Sequence, residues 1–228
     1  MQLRVVTDQP WNVPADVLVL PFVGDPVFEG ELAEIDRRAG GELHVLAAFR
    51  ELRTERYETA LSSAGQLPVG RLLAIAAGPA AALDRETAVR FGAAIQRRLA
   101  GRPVRRLAVW LGAVAASLEG GTEAAAELVT RGIVEGSYDP AALYGTGDAV
   151  VEAGPPAVEE LILIVPAGAS AVAATRVVTV GMKYAVRICL DSASESSERP
   201  AWRADWISRS AVARSGSCSV WLRSTGVS

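Results

Sequence analysis

Histidine, cysteine and lysine, side chains that commonly serve as bases, nucleophiles and metal ligands, are few in this 228-residue chain and far apart. His44 is the single histidine. It falls in a stretch of amphipathic helical pattern with no nearby Cys, Asp or second His, so it reads as a surface or partly buried side chain rather than a base or ligand. Cys189 and Cys218 are the only cysteines. Neither has a near neighbour, so they fit no zinc spacing and no disulfide framework. Lys183 is the only lysine. A water made acidic between two divalent cations needs several carboxylates held together, and no segment here clusters Asp, Glu and Lys. Glu135 and Tyr138 could face a ligand. Gly136 lies between them and ends a helix in the usual way, so the reading adopted is packing and hydrogen bonding at a helix end. No residue is nominated as catalytic, as cofactor-binding or as a metal ligand.

The segments that would position these groups alternate at βαβ spacing. Leu3-Arg4-Val5-Val6 is short and β-prone. Val17–Phe22 is an almost unbroken apolar run between turn residues, the pattern of a strand buried on both faces. Glu31–Arg38 and Glu42–Arg53 read as helices separated by Gly40-Gly41, with Leu43, Leu46, Ala47 and Phe49 on the apolar face of the second. Arg71–Ala77 is the next buried strand, stopped by Gly78-Pro79. A helix from about Asp84 to Ala100 follows, with Asp84 as N-cap, Gly101 at its end and Val89, Ala93, Ile95 and Leu99 on its apolar face. Arg106–Gly112 reads as a third core strand, Gly121–Glu135 as an alanine-rich helix and Glu159–Val165 as the last clear strand. The expected fold is α/β, three-layered, with a mostly parallel central sheet and an irregular C-terminal tail. Val17, Val19, Leu73, Ile75, Leu107, Val109, Leu161 and Leu163 are expected to share one core.

Composition narrows the function classes. Half the residues are hydrophobic, the net charge is -3 and the mean hydropathy is +0.23. That supplies one sizeable core. A nucleic-acid partner would need clustered Lys and Arg, and the mild acidity argues against one. No apolar run reaches about 18 residues, so no membrane-spanning helix is expected. Met1-Gln2-Leu3-Arg4 lacks the basic start and long apolar stretch of a signal peptide, leaving a cytoplasmic location as the default.

Two stretches carry a resemblance. Leu128 to Asp148, LVTRGIVEGSYDPAALYGTGD, and Pro14-Ala15-Asp16-Val17-Leu18-Val19-Leu20-Pro21-Phe22 resemble the N-terminal domain of the leucyl (cytosol) aminopeptidases, peptidase family M17. The resemblance covers about residues 1–175. It includes the strand-then-helix unit from Arg71 to Gly101, and Val134-Glu135-Gly136-Ser137-Tyr138 followed by Tyr144. It implies a macro-domain-like regulatory or assembly domain, with an aminopeptidase catalytic domain or further copies of the chain as partners. In the family, two divalent metal ions (Mn or Zn) are held in the C-terminal domain within motifs such as N-T-D-A-E-G-R, and release N-terminal amino acids from peptides. No such motif occurs here, so the chain alone is expected to be inactive and to lack the catalytic part. Ala76-Ala77-Gly78-Pro79 departs from the family's G-x-G turn, which speaks against a phosphate-cradling loop. The alternative is a free-standing macro-like module for a nucleotide or ADP-ribose-type ligand. Asp16 stands where macro domains that bind ADP-ribose place an acidic residue near the adenine. The lack of an Asn-rich segment after the strand and of a Gly-rich loop argues against that role. An enzyme in its own right is the third reading, and the sequence hardly supports it.

The chain changes character near residue 180. Five serines precede Leu190 and eleven follow it, and Trp202, Trp206 and Trp221 lie in the same late stretch. Asp191–Pro200 is too poor in apolar residues to build a core. Residues 176–228 therefore read as a linker and a disordered or out-of-frame tail, and limited proteolysis is expected to remove roughly residues 181–228.

Overall fold

The computed structural model describes residues 1–137 and 158–169. Tyr138, Tyr144, Lys183, Cys189, Cys218, the 175/176 boundary and the serine-rich tail lie outside the described residues.

One six-stranded sheet organises the described chain. In chain order the elements are β1 (Gln2–Val6), β2 (Ala15–Val23), α1 (Gly30–Arg38), α2 (Glu42–Ala48), β3 (Thr59–Ser62), β4 (Val69–Gly78), α3 (Arg85–Leu99), β5 (Arg106–Trp110), α4 (Gly112–Ser117), α5 (Gly121–Gly136) and β6 (Glu160–Ile164). The strand order is β1-β6-β5-β2-β4-β3. All neighbours are parallel except the edge strand β3, which pairs antiparallel with β4 from Thr59 opposite Ile75 to Ser62 opposite Leu72.

The apolar runs become strands because both faces of the sheet are covered. Side chains alternate across a strand. Val17, Val19, Leu73, Ile75, Leu107, Val109, Leu161 and Leu163 all point to one face and share one core with α3, α4 and α5, as expected from sequence. Leu18, Leu20, Leu72, Ala108, Ile162 and Ile164 fill the opposite face against Leu32 and Ile35 of α1 and Leu43 and Leu46 of α2. Three layers follow directly from strands that are apolar on both sides.

Four sequence expectations need correction. The helix expected to reach Arg53 stops at Ala48, because the backbone at Arg50 turns left-handed (φ 58°). The Arg50 N–H donates to Ala47 O (3.0 Å) and the Glu51 N–H to Leu46 O (2.8 Å), the paired bonds of a Schellman stop. Phe49, assigned to the apolar face, is 74% exposed. The strand expected to reach Gly112 ends at Trp110, and Gly112 opens α4. A Cβ at Gly112 would come within 2.6 Å of Trp110 Cζ2, so any side chain there would have to displace the indole. On α3 the buried stripe is Ala88, Phe91, Gly92, Ile95 and Leu99, whereas Val89 and Ala93 are only partly buried. The edge strand β3 was not anticipated. The cap was: Asp84 accepts from the Thr87 N–H at 2.7 Å, and Gly101 has φ 78° just past the helix.

The two helices covering the larger core face touch backbone to backbone. A Cβ on Gly92 would lie 2.2 Å from Val129 O, and one on Gly132 would lie 1.9 Å from Val89 O. Glycine at both positions lets α3 and α5 approach closely, and it lets the small side chains Ala124, Ala125 and Ala126 pack into the same core.

Candidate functional site

β2 lies mid-sheet, flanked by β4 on one side and β5 on the other. The chain leaves β2 toward β4 along the α1–α2 face and comes back to β5 along the α3 face. Crossovers that part in this way leave a crevice at the carboxyl ends of the two strands, the usual ligand position in open α/β sheets. A cavity of about 180 Å³ sits there, lined by Phe22, Asp25, Pro26, Leu32, Trp110 and Ala113 among others. Ligand clefts for drug-sized molecules run to roughly 300–1,000 Å³, so this crevice is small. The Trp110 indole forms part of its wall. Its Nε1–H donates to Glu31 Oε2 at 3.1 Å, tying β5 to α1 across the opening.

Asp16 does not lie at this crevice. It stands at the opposite, amino-terminal end of β2, where its Oδ2 accepts the Arg105 N–H (2.8 Å) and the Arg106 N–H (2.7 Å). The carboxylate fastens β2 to the entry of β5, a structural task that sequence alone did not indicate. Gly78, at the end of β4, is covered by a side chain: Arg56 Cγ lies 2.5 Å from where a Cβ would be. The Arg56 Nη2–H donates to Ala82 O at 3.4 Å. The turn after β4 is thus overlaid by Arg56, from the segment that precedes β3, in line with the absence of a G-x-G pattern there.

His44 has a neighbour that the sequence did not reveal. Its Nδ1 hydrogen-bonds Asp36 Oδ2, and its ring stacks on Phe28 with centroids 4.0 Å apart. The expectation of no nearby Asp is corrected, while the expectation of a surface side chain holds, since His44 is exposed. Asp36 itself is buried and accepts the Leu43 N–H at 2.8 Å through Oδ1. Gly41 offers α2 no side-chain cap, so Asp36 reaches over from α1 to cap it. Two donors, one of them already engaged in capping, do not make a metal site. Among the described residues no group of three or more His, Cys, Asp or Glu could hold a metal ion. The donor set present here therefore does not fit the two-cation site that the resemblance implies for the family. Glu135 accepts from Arg131 Nε at 2.7 Å on its own helix, a helix-end contact as read from sequence. Tyr138 lies outside the described residues.

A second, larger groove of about 510 Å³ opens at the amino-terminal edge of the sheet, beside Asp16, Arg71 and Arg102. Neither arginine belongs to a motif, and their 31-residue separation gave no sequence signal.

Comparison with known proteins accords with this geometry. The model of the cytosol aminopeptidase family, N-terminal domain, matches residues 19–142. No curated protein sequence matches the chain. A mutant of tomato leucine aminopeptidase is similar in structure, with a TM-score of 0.62 at 14% identity over 82% of this chain and 36% of that one. The bottromycin maturation enzyme BotP gives 0.51 at 22% identity over 77% of this chain and 31% of that one. A Trypanosoma brucei macrodomain in complex with ADP gives 0.54 at 14% identity over 78% of this chain and 69% of that one. At such identities these are likenesses of fold, and they make it macrodomain-like. The chain spans about a third of BotP and of the tomato enzyme. The family match covers more than half of the 228 residues, and the chain belongs to the cytosol aminopeptidase family through its N-terminal domain.

Proposed function

We propose that this member of the cytosol aminopeptidase family is a regulatory or assembly domain that works beside an aminopeptidase catalytic domain and does not itself cleave peptides. The observation that carries the reading is the position of the family match. It runs from β2 through α5 and falls on the family's N-terminal domain. The donor chemistry supports it. Polarising a peptide carbonyl and acidifying a water between two cations takes several convergent carboxylates, and the described residues gather no such set. Metal-dependent release of N-terminal amino acids would then belong to the catalytic partner, which would hold the two Mn or Zn ions. Further copies of the chain are a second class of partner on this reading, and the cytoplasm is its expected place of work.

A free-standing module for a nucleotide or ADP-ribose-type ligand is the second reading. The macrodomain-like fold and the crevice between β2 and β5 favour it. The crevice volume of about 180 Å³ weighs against it, as does the indole in its wall. So does the commitment of Asp16 Oδ2 to two backbone N–H groups at the far end of the strand. The test of the favoured reading is a titration of the purified chain with Mn²⁺, followed by the loss of the free-ion electron paramagnetic resonance signal. No tight stoichiometric uptake is expected, and two tight sites per chain would overturn the reading.

A further inference from the structure

We propose that the groove at the amino-terminal edge of the sheet binds an apolar α-amino acid in its zwitterionic form. The groove holds about 510 Å³ and is formed by the start of β2, by β3, by the start of β4, by the end of α3 and by the loop that follows it. Its floor is aliphatic. Val17, Leu99 and Val104 are buried, and Leu61 packs against the same core from a partly exposed position. Its rim is charged. Arg71 is exposed and Arg102 half-buried. Among the described residues neither arginine takes part in an ion pair. Arg102 makes one long hydrogen bond, from Nε to Arg98 O at 3.4 Å.

The third charged group is Asp16, and it is half used. Its Oδ2 accepts both backbone N–H groups from β5, and Oδ1 accepts none among the described residues. One groove thus carries two unpaired guanidinium groups, one open carboxylate oxygen and an apolar floor. Guanidinium groups are well shaped to receive a carboxylate. The open Asp16 oxygen suits an ammonium, and the floor suits a branched aliphatic side chain. An inorganic anion would satisfy the arginines and leave Asp16 Oδ1 and the floor without partners. A fatty acid would leave Asp16 Oδ1 without one. The apolar zwitterion satisfies all three. The volume also admits a dipeptide that ends in a free carboxylate, which presents the same chemistry. On the reading given under Proposed function, an aminopeptidase releases this class of molecule, so the groove would sense its product. The binding claim rests on the groove alone and stands or falls without any peptidase activity.

The test is calorimetric titration of the full chain with L-leucine, with backbone amide shifts recorded in parallel. Saturable binding is expected, with shifts at Val17, Leu61 and Val104 and none at Trp110 or Ala113. L-Leucinamide lacks the carboxylate and isocaproate lacks the ammonium. Each should bind at least about tenfold more weakly, as should Arg71→Gln and Arg102→Gln, because a charge-assisted hydrogen bond contributes enough for a factor of that order. Arg71 is exposed, so Arg71→Gln should leave the melting temperature in place. Four results would overturn the proposal: no saturable binding of L-leucine; equal affinity for leucinamide; equal shifts with inorganic phosphate; or unchanged affinity in both arginine variants.

Discussion

Gly132→Ala probes the glycine with least room for a side chain among the described residues. The added methyl would sit 1.9 Å from Val89 O, 2.8 Å from Val89 C and 2.9 Å from the Gly92 Cα. Carbon and a carbonyl oxygen rest at roughly 3.3–3.6 Å. The helices α3 and α5 must therefore separate by more than about 1 Å, or one must roll. The obstacle is backbone, so no rotamer change relieves it. Overpacking of this kind costs about 1–3 kcal/mol and occasionally more. Replacing glycine by alanine inside a helix returns about 0.8–1.0 kcal/mol. With the collision at the severe end, the net loss is about 2 kcal/mol. For a chain of this size that lowers the melting temperature by about 4–8 °C. The assay is thermal unfolding followed by far-ultraviolet circular dichroism. Gly92→Ala, facing Val129 O at 2.2 Å, should behave alike. Adding Val89→Ala to Gly132→Ala should give no rescue, because the clash is with the Val89 carbonyl and not its side chain. If Gly132→Ala melted at or above the parent temperature, helix propensity would have outweighed the contact and the backbone-to-backbone packing of α3 on α5 would be refuted.

Other expectations follow from the same contacts. Asp36→Ala removes the buried acceptor that caps α2, at a cost of roughly 1–3 kcal/mol, and the Leu43 amide should then exchange faster with deuterium; an unchanged exchange rate would show that the cap is not needed. Leu73 and Leu163 are fully buried, so truncating either to alanine should cost about 2–5 kcal/mol, and a denaturation midpoint that did not move would overturn the strand assignments. Hydrogen bonds from Arg37 and Arg38 hold the Glu34 carboxyl well below its ordinary 4.5, at about 2. A depressed value means that the stabilising contribution of Glu34 is complete above its ordinary pKa and is lost as the pH falls from about 4.5 through 2. Carbon-detected NMR titration should find Glu34 still ionised at its ordinary pKa of 4.5; a midpoint near that ordinary value would refute the pairing.

The strands of the sheet were legible in the sequence because both faces are covered. Val17 to Phe22 and Arg71 to Ala77 needed only their unbroken apolar character to declare themselves. What escaped was set by contacts distant in sequence or by backbone turns without a residue signature. The stop after Ala48 rests on a left-handed arginine, where a glycine would have announced it. β3 is four residues long and has one neighbour, so it carried little pattern. Val89 and Ala93 were placed on the buried stripe of α3 because glycine has no hydropathy to offer. The true stripe includes Gly92, which earns its place by letting α5 approach. The capping of α2 by Asp36 spans seven residues, and the fastening of β5 by Asp16 spans about ninety. Both are long-range hydrogen bonds that no periodicity encodes. The arginine-rimmed groove is likewise a product of the fold, assembled from β2, β3, β4 and the end of α3.

The proposal that this member of the cytosol aminopeptidase family does not itself cleave peptides is tested most directly by peptide hydrolysis. Purified chain would be incubated with leucine p-nitroanilide and with a Leu-Gly dipeptide, in the presence of Mn²⁺ or Zn²⁺, and release of p-nitroaniline or free leucine followed. The account predicts no rate above that of the metal and buffer alone. Metal-dependent turnover that scales with chain concentration and is abolished by a chelator would contradict it.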